Sequence, residues 1–224
     1  LHSSLPKPFA RTYSAFLFDM DGTVLNSIAA AERVWGAWAL RHGLDPVTFL
    51  PTMHGKRGID TISQLGLPGV DPAREAAGIL QGEIDDVEGV VPIAGAVEFL
   101  LSLPADRWAI VTSSPIELAK RRIAAAGIPQ PRIMVTAEDV TAGKPDPQGY
   151  LLGARKLGFS AADCLVFEDV PAGILAGEAA GADVMVVTAT HTHAVDTAHA
   201  TITAYEEIKA LVGQGSLSLA RTRE

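Results

Sequence analysis

The chain of 224 residues is expected to fold as an α/β protein, a doubly wound parallel sheet with an α-helical domain inserted near its start. Three observations carry this expectation. The run from Tyr13 to Phe18 is mostly apolar and bulky, as in a strand buried on both faces of a parallel sheet. From Ala96 to Val187, short apolar runs alternate with helical segments, the pattern of repeated βα units covered by helices on both faces. Between Thr23 and Pro92, by contrast, apolar residues recur at helical spacing and no run reads as a strand.

In chain order, the first strand ends at Phe18, and Gly22 lets the backbone turn sharply after Asp19-Met20-Asp21. Ser27 fits a helix cap, and Ile28, Val34, Trp35, Trp38 and Leu40 share one helical face until Gly43 stops the run. Met53-His54-Gly55-Lys56-Arg57-Gly58-Ile59-Asp60 is a glycine-punctuated basic loop before another short helix, and Asp71-Pro72 starts a helix that continues to about Val87. The inserted helical domain is thus placed at 26–90, and the α/β core at 1–25 and 91–212. Core helices are expected over Ala96–Leu103, Pro115–Ala126, Pro147–Leu157, Ala172–Ala180 and Tyr205–Leu211. Core strands are expected over Trp108–Thr112, Ile133–Thr136, Leu165–Phe167 and Val184–Val187, with Thr201-Ile202 as an edge strand. Residues 213–224 are polar and expected to form a flexible tail.

Composition narrows the function. Hydrophobic residues make up 48% of the chain, enough for a substantial core, and a net charge of −8 argues against nucleic-acid or anionic-membrane partners. An anionic small molecule must then be drawn by local cations. The single cysteine, Cys164, excludes an internal disulfide and lies in a run that reads as a buried strand. No apolar run reaches the ~18 residues of a membrane helix, and the first residues lack a signal-peptide pattern. A cytoplasmic monomer is expected. With Leu1 rather than Met in first place, residues 1–8 are expected to hold a cropped or foreign start.

Four features stand at the ends of predicted strands, where open α/β sheets bind ligands. Asp19 and Asp21 follow the first strand, and two acids so close need a counter-charge such as magnesium. Thr112-Ser113-Ser114 offers hydroxyls and N–H groups before a helix, a ready anion site that is equally an ordinary cap. Lys144 is held in a turn between Gly143 and Pro145, suited to point inward at phosphate; alone it reads as a solvated loop lysine. Glu168-Asp169 is a second acid pair directly after a buried strand, poor for stability unless a cation is held.

In order and placement these features resemble motifs I to IV of the haloacid dehalogenase superfamily of phosphohydrolases. The match spans Phe16 to Gly181, and Gly143-Lys144-Pro145-Asp146-Pro147 with Glu168-Asp169-Val170-Pro171-Ala172-Gly173 is specific to its helical-capped branch. Trp108-Ala109-Ile110-Val111-Thr112-Ser113 and His54-Gly55-Lys56-Arg57 are similar to the sugar phosphatases and the glycerol-phosphate and deoxyglucose-phosphate phosphatases of that branch. Asn26 and Val170 depart from the usual pattern at positions without a chemical role. The resemblance implies a Rossmann-like core with a helical cap, and an Mg²⁺-dependent phosphatase acting on a small phosphorylated substrate.

The resemblance also implies roles. Asp19 would attack phosphorus to form an aspartyl phosphate, and Asp21 would act as general acid and then general base. Asp19, the Asp21 backbone carbonyl and Asp169 would bind Mg²⁺, with Glu168 close behind. Thr112, Ser113, Ser114 and Lys144 would hold the phosphoryl oxygens. Lys56, Arg57 and His54 of the cap are candidates for substrate contact, with an ion pair as the plain alternative for Arg57. A β-phosphoglucomutase-like mutase shares all four motifs and is the alternative. Mutases of that group carry an Arg-Ser cap signature, whereas Arg57 here precedes Gly58 and Ile59. His191, His193 and His199 invite a zinc reading, but a surface loop is expected there. Trp35 and Trp38 could stack on a sugar, though their spacing favours packing within the cap.

Overall fold

The computed structural model describes residues 7–53, 56–193 and 195–222. The chain opens with α1 (Lys7–Ala10), β1 (Thr12–Tyr13), β2 (Ala15–Phe18) and β3 (Leu25–Asn26). Four helices follow: α2 (Ile28–Arg41), α3 (Pro46–Phe49), α4 (Gly58–Leu65) and α5 (Pro72–Asp85). After β4 (Val91–Pro92), the chain alternates through α6 (Ala96–Leu101), β5 (Trp108–Val111), α7 (Ile116–Ala125), β6 (Met134–Val135) and α8 (Gln148–Leu157). It continues through β7 (Cys164–Glu168), α9 (Pro171–Ala179), β8 (Asp183–Val187), β9 (Ala200–Ile202), β10 (Ile208–Val212) and β11 (Leu217–Arg221).

Six of these strands form one parallel sheet in the order β6-β5-β2-β7-β8-β9. The strand β2 lies inside it, pairing Phe16, Leu17 and Phe18 with Trp108, Ala109 and Ile110 on one side. On its other side the same residues meet Leu165, Val166 and Phe167. The chain builds outward through β5 and β6, then returns to the far side of β2 for β7, β8 and β9. A reversal of strand order opens a crevice at the carboxyl ends of the strands, and the chemistry-bearing residues lie there.

All four residues of β2 are buried, which explains its unbroken apolar run. Alternation sends Phe16 and Phe18 into one core layer and Ala15 and Leu17 into the other. The first layer is aromatic: Phe18 stacks on Phe167 with ring centroids 4.6 Å apart, and Phe99 and Tyr205 close around them. In the second layer, Ala154 of α8 and Ala176 of α9 let both helices lie close to the sheet. Burial of this kind, at ~25 cal/mol per Å² of apolar surface, fixes the strand ends in relation to one another.

Helices α2 to α5 pack around a cluster of their own, built on Trp35, Trp38, Phe49, Ile62 and Ile79. Trp38 also donates its indole N–H to Glu75 at 2.9 Å, and Asp71 caps α5 by accepting from the N–H groups of Ala73 and Arg74. Leu40 departs from the predicted face and is exposed. The two chain crossings beside these helices pair with each other as β3 and β4, Leu25 opposite Pro92 and Asn26 opposite Val91. Strands of two residues are too short to show a period of two, so the sequence pattern contains no sign of them. Arg33 steadies the return crossing with two hydrogen bonds to Asp86, at 2.6 and 2.8 Å, and one to the Glu88 carbonyl at 2.7 Å.

The carboxyl-terminal end corrects the sequence reading. The helix predicted over 205–211 is a single 3-10 turn, Tyr205–Glu207, followed directly by β10. Within the stretch read as a flexible tail, 213–224, lies β11, which pairs with both β10 and β1 in an antiparallel sheet. Leu217 and Leu219 alternate with Ser218 and Ala220, and both leucines are buried in the aromatic core layer. That alternation, with partners waiting at the other end of the chain, outweighs the helical propensity of the preceding segment.

We expect Leu217→Ala to lower the unfolding free energy by about 2–4 kcal/mol, the cost of emptying a buried leucine site. Urea denaturation measures it. A loss below about 0.5 kcal/mol would restore the flexible-tail reading.

Candidate active site

Because β5, β2 and β7 are neighbours in parallel register, the residues that follow them converge. Asp19 follows β2, Thr112 follows β5, and Glu168 ends β7 with Asp169 next. Lys144 reaches the same point from the loop before α8. Its ammonium donates to Asp19 Oδ1 and Glu168 Oε1, both at 2.5 Å, and to the Val111 carbonyl at 3.3 Å. The Tyr150 ring lies 5.1 Å from the same nitrogen. Burial works against the lysine's charge, yet Asp19 and Glu168 outweigh it and hold the ammonium protonated.

Glu168 is wholly buried and fully engaged. Besides Lys144, it accepts from the Tyr150 hydroxyl at 2.8 Å and from the N–H groups of Asp169 and Val170 at 2.9 and 3.2 Å. Asp169 accepts from Thr23 at 3.2 Å, which leaves its carboxylate more open. Two glycines make room for this crowding. A Cβ on Gly173 would stand 1.7 Å from Glu168 Oε1, and Gly22, at φ +90°, would place one 2.0 Å from Asp169 Oδ2.

Ligand oxygens of Asp19, Glu168 and Asp169 lie within 4.8 Å of one another. Three buried carboxylates thus face one ammonium. Burial first, then the neighbouring acids, raise Asp19 and Asp169 above the ordinary carboxylate range, while Lys144 pulls both down. An excess of two negative charges among hard oxygen donors suits a divalent cation such as Mg²⁺, so the donor set fits that ion. Asp19 and Asp169 would be its side-chain ligands, with Glu168 held behind them by its other partners.

Asp21 belongs to a second charge system. Its side chain accepts from Ser27 Oγ at 2.6 Å and Arg122 Nη1 at 3.0 Å on one oxygen, and from Ser114 Oγ at 3.1 Å on the other. Ser27 stands at the N-cap position of α2, as the sequence suggests, but its hydroxyl makes no capping bond and turns to Asp21 instead. Arg122 continues to Glu83 of α5 with a bond of 2.8 Å. Burial raises Glu83, with Arg122 opposing, and the two acids keep Arg122 charged despite its own burial.

These groups line a cavity of about 390 Å³ between α2, α4 and α5 on one side and the strand ends on the other. Asp19, Asp21, Thr112, Ser113, Ser114 and Lys144 all reach it. Ser114 N–H donates to Thr112 Oγ1 at 3.0 Å, folding this stretch over the strand end. Lys56 and Arg57 stand on the opposite wall. Arg57 also makes the ion pair with Asp60 that the sequence left open, with bonds of 2.7 and 3.1 Å. Trp35 packs in the helical cluster and lines the cavity as well. His54 lies outside the described residues.

Sequence reasoning missed Ser27, Glu83, Arg122 and Tyr150. For Arg122 a signal was present: it shares the buried face of α7 with Leu118, Ala119 and Ile123, so a charge interrupts an apolar stripe. The histidines do not form a metal site among the described residues. His191 Nε2 bonds the Asp169 carbonyl at 2.8 Å, and His199 Nε2 bonds Glu178 at 2.9 Å. Cys164 is buried in β7, and burial pushes its thiol up to about 12.

The sequence model of the haloacid dehalogenase-like hydrolases matches residues 13–181. Hexitol phosphatase A of Escherichia coli is 44% identical over 178 residues, covering 78% of this chain and 82% of the relative. Glycerol-1-phosphate phosphohydrolase 1 of Saccharomyces cerevisiae is 34% identical, covering 82% and 78% respectively. Among solved structures, a hydrolase from Pseudomonas syringae superposes with a TM-score of 0.67 at 26% identity, over 79% of this chain and 84% of that one.

Removing the ammonium alone leaves three buried acids uncompensated. Lys144→Met should therefore destabilise the protein by about 3–5 kcal/mol in chelator, with part of the loss recovered on adding Mg²⁺. Urea denaturation with and without the ion measures both. A variant as stable as the wild type in chelator would contradict this charge balance.

Proposed function

We propose, from the premise that this chain belongs to the haloacid dehalogenase-like hydrolase family, that it hydrolyses small sugar or polyol phosphates with Mg²⁺ through an aspartyl phosphate. The observation that carries this reading is the placement of two aspartates on one turn in two different charge systems. Asp19 is set among Lys144 and the acids, and Asp21 among hydroxyls and a guanidinium. The difference supports assigning attack to Asp19 and proton transfer to Asp21.

In the first step an Asp19 carboxylate oxygen forms a bond to phosphorus as the ester P–O bond breaks, and Asp21 delivers a proton to the departing oxygen. In the second, Asp21 takes a proton from water, the water oxygen bonds phosphorus, and the bond to Asp19 breaks to release phosphate. The Thr112 hydroxyl, the Ser113 N–H and the Lys144 ammonium, which line the same cavity, would hold the phosphoryl oxygens, with Ser114 beside Asp21. Mg²⁺ held by Asp19 and Asp169, with the Asp21 backbone carbonyl and Glu168 in support, would neutralise charge on those oxygens.

The helices opposite the strand ends would exclude water and contact the leaving group, with Lys56, Arg57 and His54 as candidates. Both relatives named above are phosphatases by name, and the Arg57-Gly58-Ile59 stretch lacks the Arg-Ser signature of the mutases. Hydrolysis is therefore favoured over phosphosugar mutation. Among the described residues no helix is long and apolar enough to cross a membrane; a cytoplasmic monomer is our reading.

The test is phosphate release from glucose 6-phosphate, fructose 1-phosphate, mannitol 1-phosphate, glycerol 3-phosphate and β-glucose 1-phosphate, with Mg²⁺ or excess chelator. We expect release with Mg²⁺ only, and a loss of at least about a thousandfold in Asp19→Asn, since a missing nucleophile removes the covalent route. Conversion of β-glucose 1-phosphate to glucose 6-phosphate without phosphate release would instead establish the mutase. Binding without turnover of any ester would show a binding protein.

A further inference from the structure

One charged pair in the cavity is given no contact with the substrate in the chemistry above, although its arginine holds Asp21. Arg122 comes from α7 of the core and Glu83 from α5 of the helical insertion, so they approach from opposite walls and meet beside Asp21. Both are nearly buried, with side-chain exposures of 6% and 12%. Burying an ion pair is costly, and one well-packed apolar pair would join the two walls as firmly. Around the pair the cavity is lined by apolar groups: Ala31, Trp35, Ala76, Leu80 and Leu118. Of the charged side chains lining the cavity, which include Lys56, Arg57 and Glu138, Arg122 is the one bonded to Asp21, and Glu83 is bonded to Arg122.

Their position relative to Asp21 narrows what they could read. The ester oxygen must lie against the Asp21 carboxylate to receive its proton. Arg122 is bonded to that carboxylate at 3.0 Å and to Glu83 at 2.8 Å, so the pair borders the space beside Asp21 into which the leaving group would extend. An oxygen on the carbon next to the ester carbon would be the first leaving-group atom beyond the ester oxygen to meet the pair. Arg122 offers only donors, and Glu83 only acceptors when ionised. Together they match a hydroxyl, which accepts and donates, better than a carbonyl or a methylene.

We propose that Arg122 and Glu83 form a specificity subsite for a hydroxyl on the carbon adjacent to the phosphoester carbon, with Arg122 donating to that oxygen and Glu83 accepting from it. This rests on the phosphatase reading above and deepens it. The substrate class becomes phosphomonoesters of vicinal diols and polyols. Reading a hydroxyl with buried charged partners discriminates strongly, because an analogue lacking it leaves those partners unpaired.

The test compares kcat/KM for glycerol 1-phosphate and for 1,3-propanediol monophosphate, which differ only in the hydroxyl next to the ester carbon. The wild type should prefer glycerol 1-phosphate by about tenfold to a hundredfold, the range for a hydrogen bond to a charged group. In Glu83→Gln and in Arg122→Met the preference should fall to within about threefold of unity. A role limited to joining the insertion to the core would change both substrates alike and leave the ratio intact, and that result would overturn the proposal. So would a wild-type ratio near one. If Arg122→Met does not fold, the isosteric Glu83→Gln decides. If the wild type hydrolyses neither ester nor any of the panel above, the phosphatase reading itself falls and this subsite with it. Hydrolysis of both esters at equal rates would remove the subsite alone.

Discussion

The site depends on one buried ammonium. Lys144 lies between Asp19 and Glu168 at the carboxyl ends of two adjacent strands, in a region where burial alone would disfavour every charge present. The strand pairing fixes where the two acids stand, and the lysine makes their proximity tolerable. It does not complete the balance. Asp169 brings a third carboxylate into the same space, so one ammonium leaves an excess of negative charge that a divalent cation would match. Crowding around the acids explains the two glycines: with side chains at Gly22 or Gly173, the carboxylates of Asp169 or Glu168 would have to move.

The second charge system is separate and has a different architecture. Asp21, Arg122 and Glu83 form a line from the core turn to α5 of the helical insertion, bordered by the hydroxyls of Ser27 and Ser114. Asp19 is therefore embedded in the sheet, whereas Asp21 touches both parts of the molecule that enclose the cavity. The outgoing crossing β3 lies just after Asp21 and pairs with the returning β4, so the segment that carries the insertion begins near the residue proposed to transfer protons. A change in how the insertion sits would reach Asp21 before it reached Asp19.

How much of this was legible in the sequence follows from where each signal lies. The parallel sheet was legible because β2, β5, β7 and β8 are apolar along nearly their whole length. Asp19, Thr112 and Asp169 were legible as polar residues placed where such runs stop, whereas Lys144, in a loop, was legible only through the resemblance carried by Gly143-Lys144-Pro145. Arg122 and Glu83 were not, since each is one charge within a helix and their meeting depends on the packing of two distant segments. Ser27 was legible as the residue at the helix start, but not its hydroxyl's bond to Asp21, which depends on how the turn folds. Of the carboxyl-terminal strands, the β10–β11 hairpin is local and its Leu217-Ser218-Leu219-Ala220 alternation was overlooked, whereas the pairing of Leu217 with Tyr13, at the other end of the chain, has no local sign.

The central claim is that Asp19 forms the covalent bond to phosphorus. The most direct measurement is acid quenching within the first turnover on an active sugar phosphate, followed by mass spectrometry of the peptide containing Asp19. The expected result is a phosphoryl group on Asp19 that is removed by neutral hydroxylamine and is missing when Mg²⁺ is chelated. Phosphate accumulating while that peptide stays unmodified, or a phosphoryl group on another residue, would contradict the account.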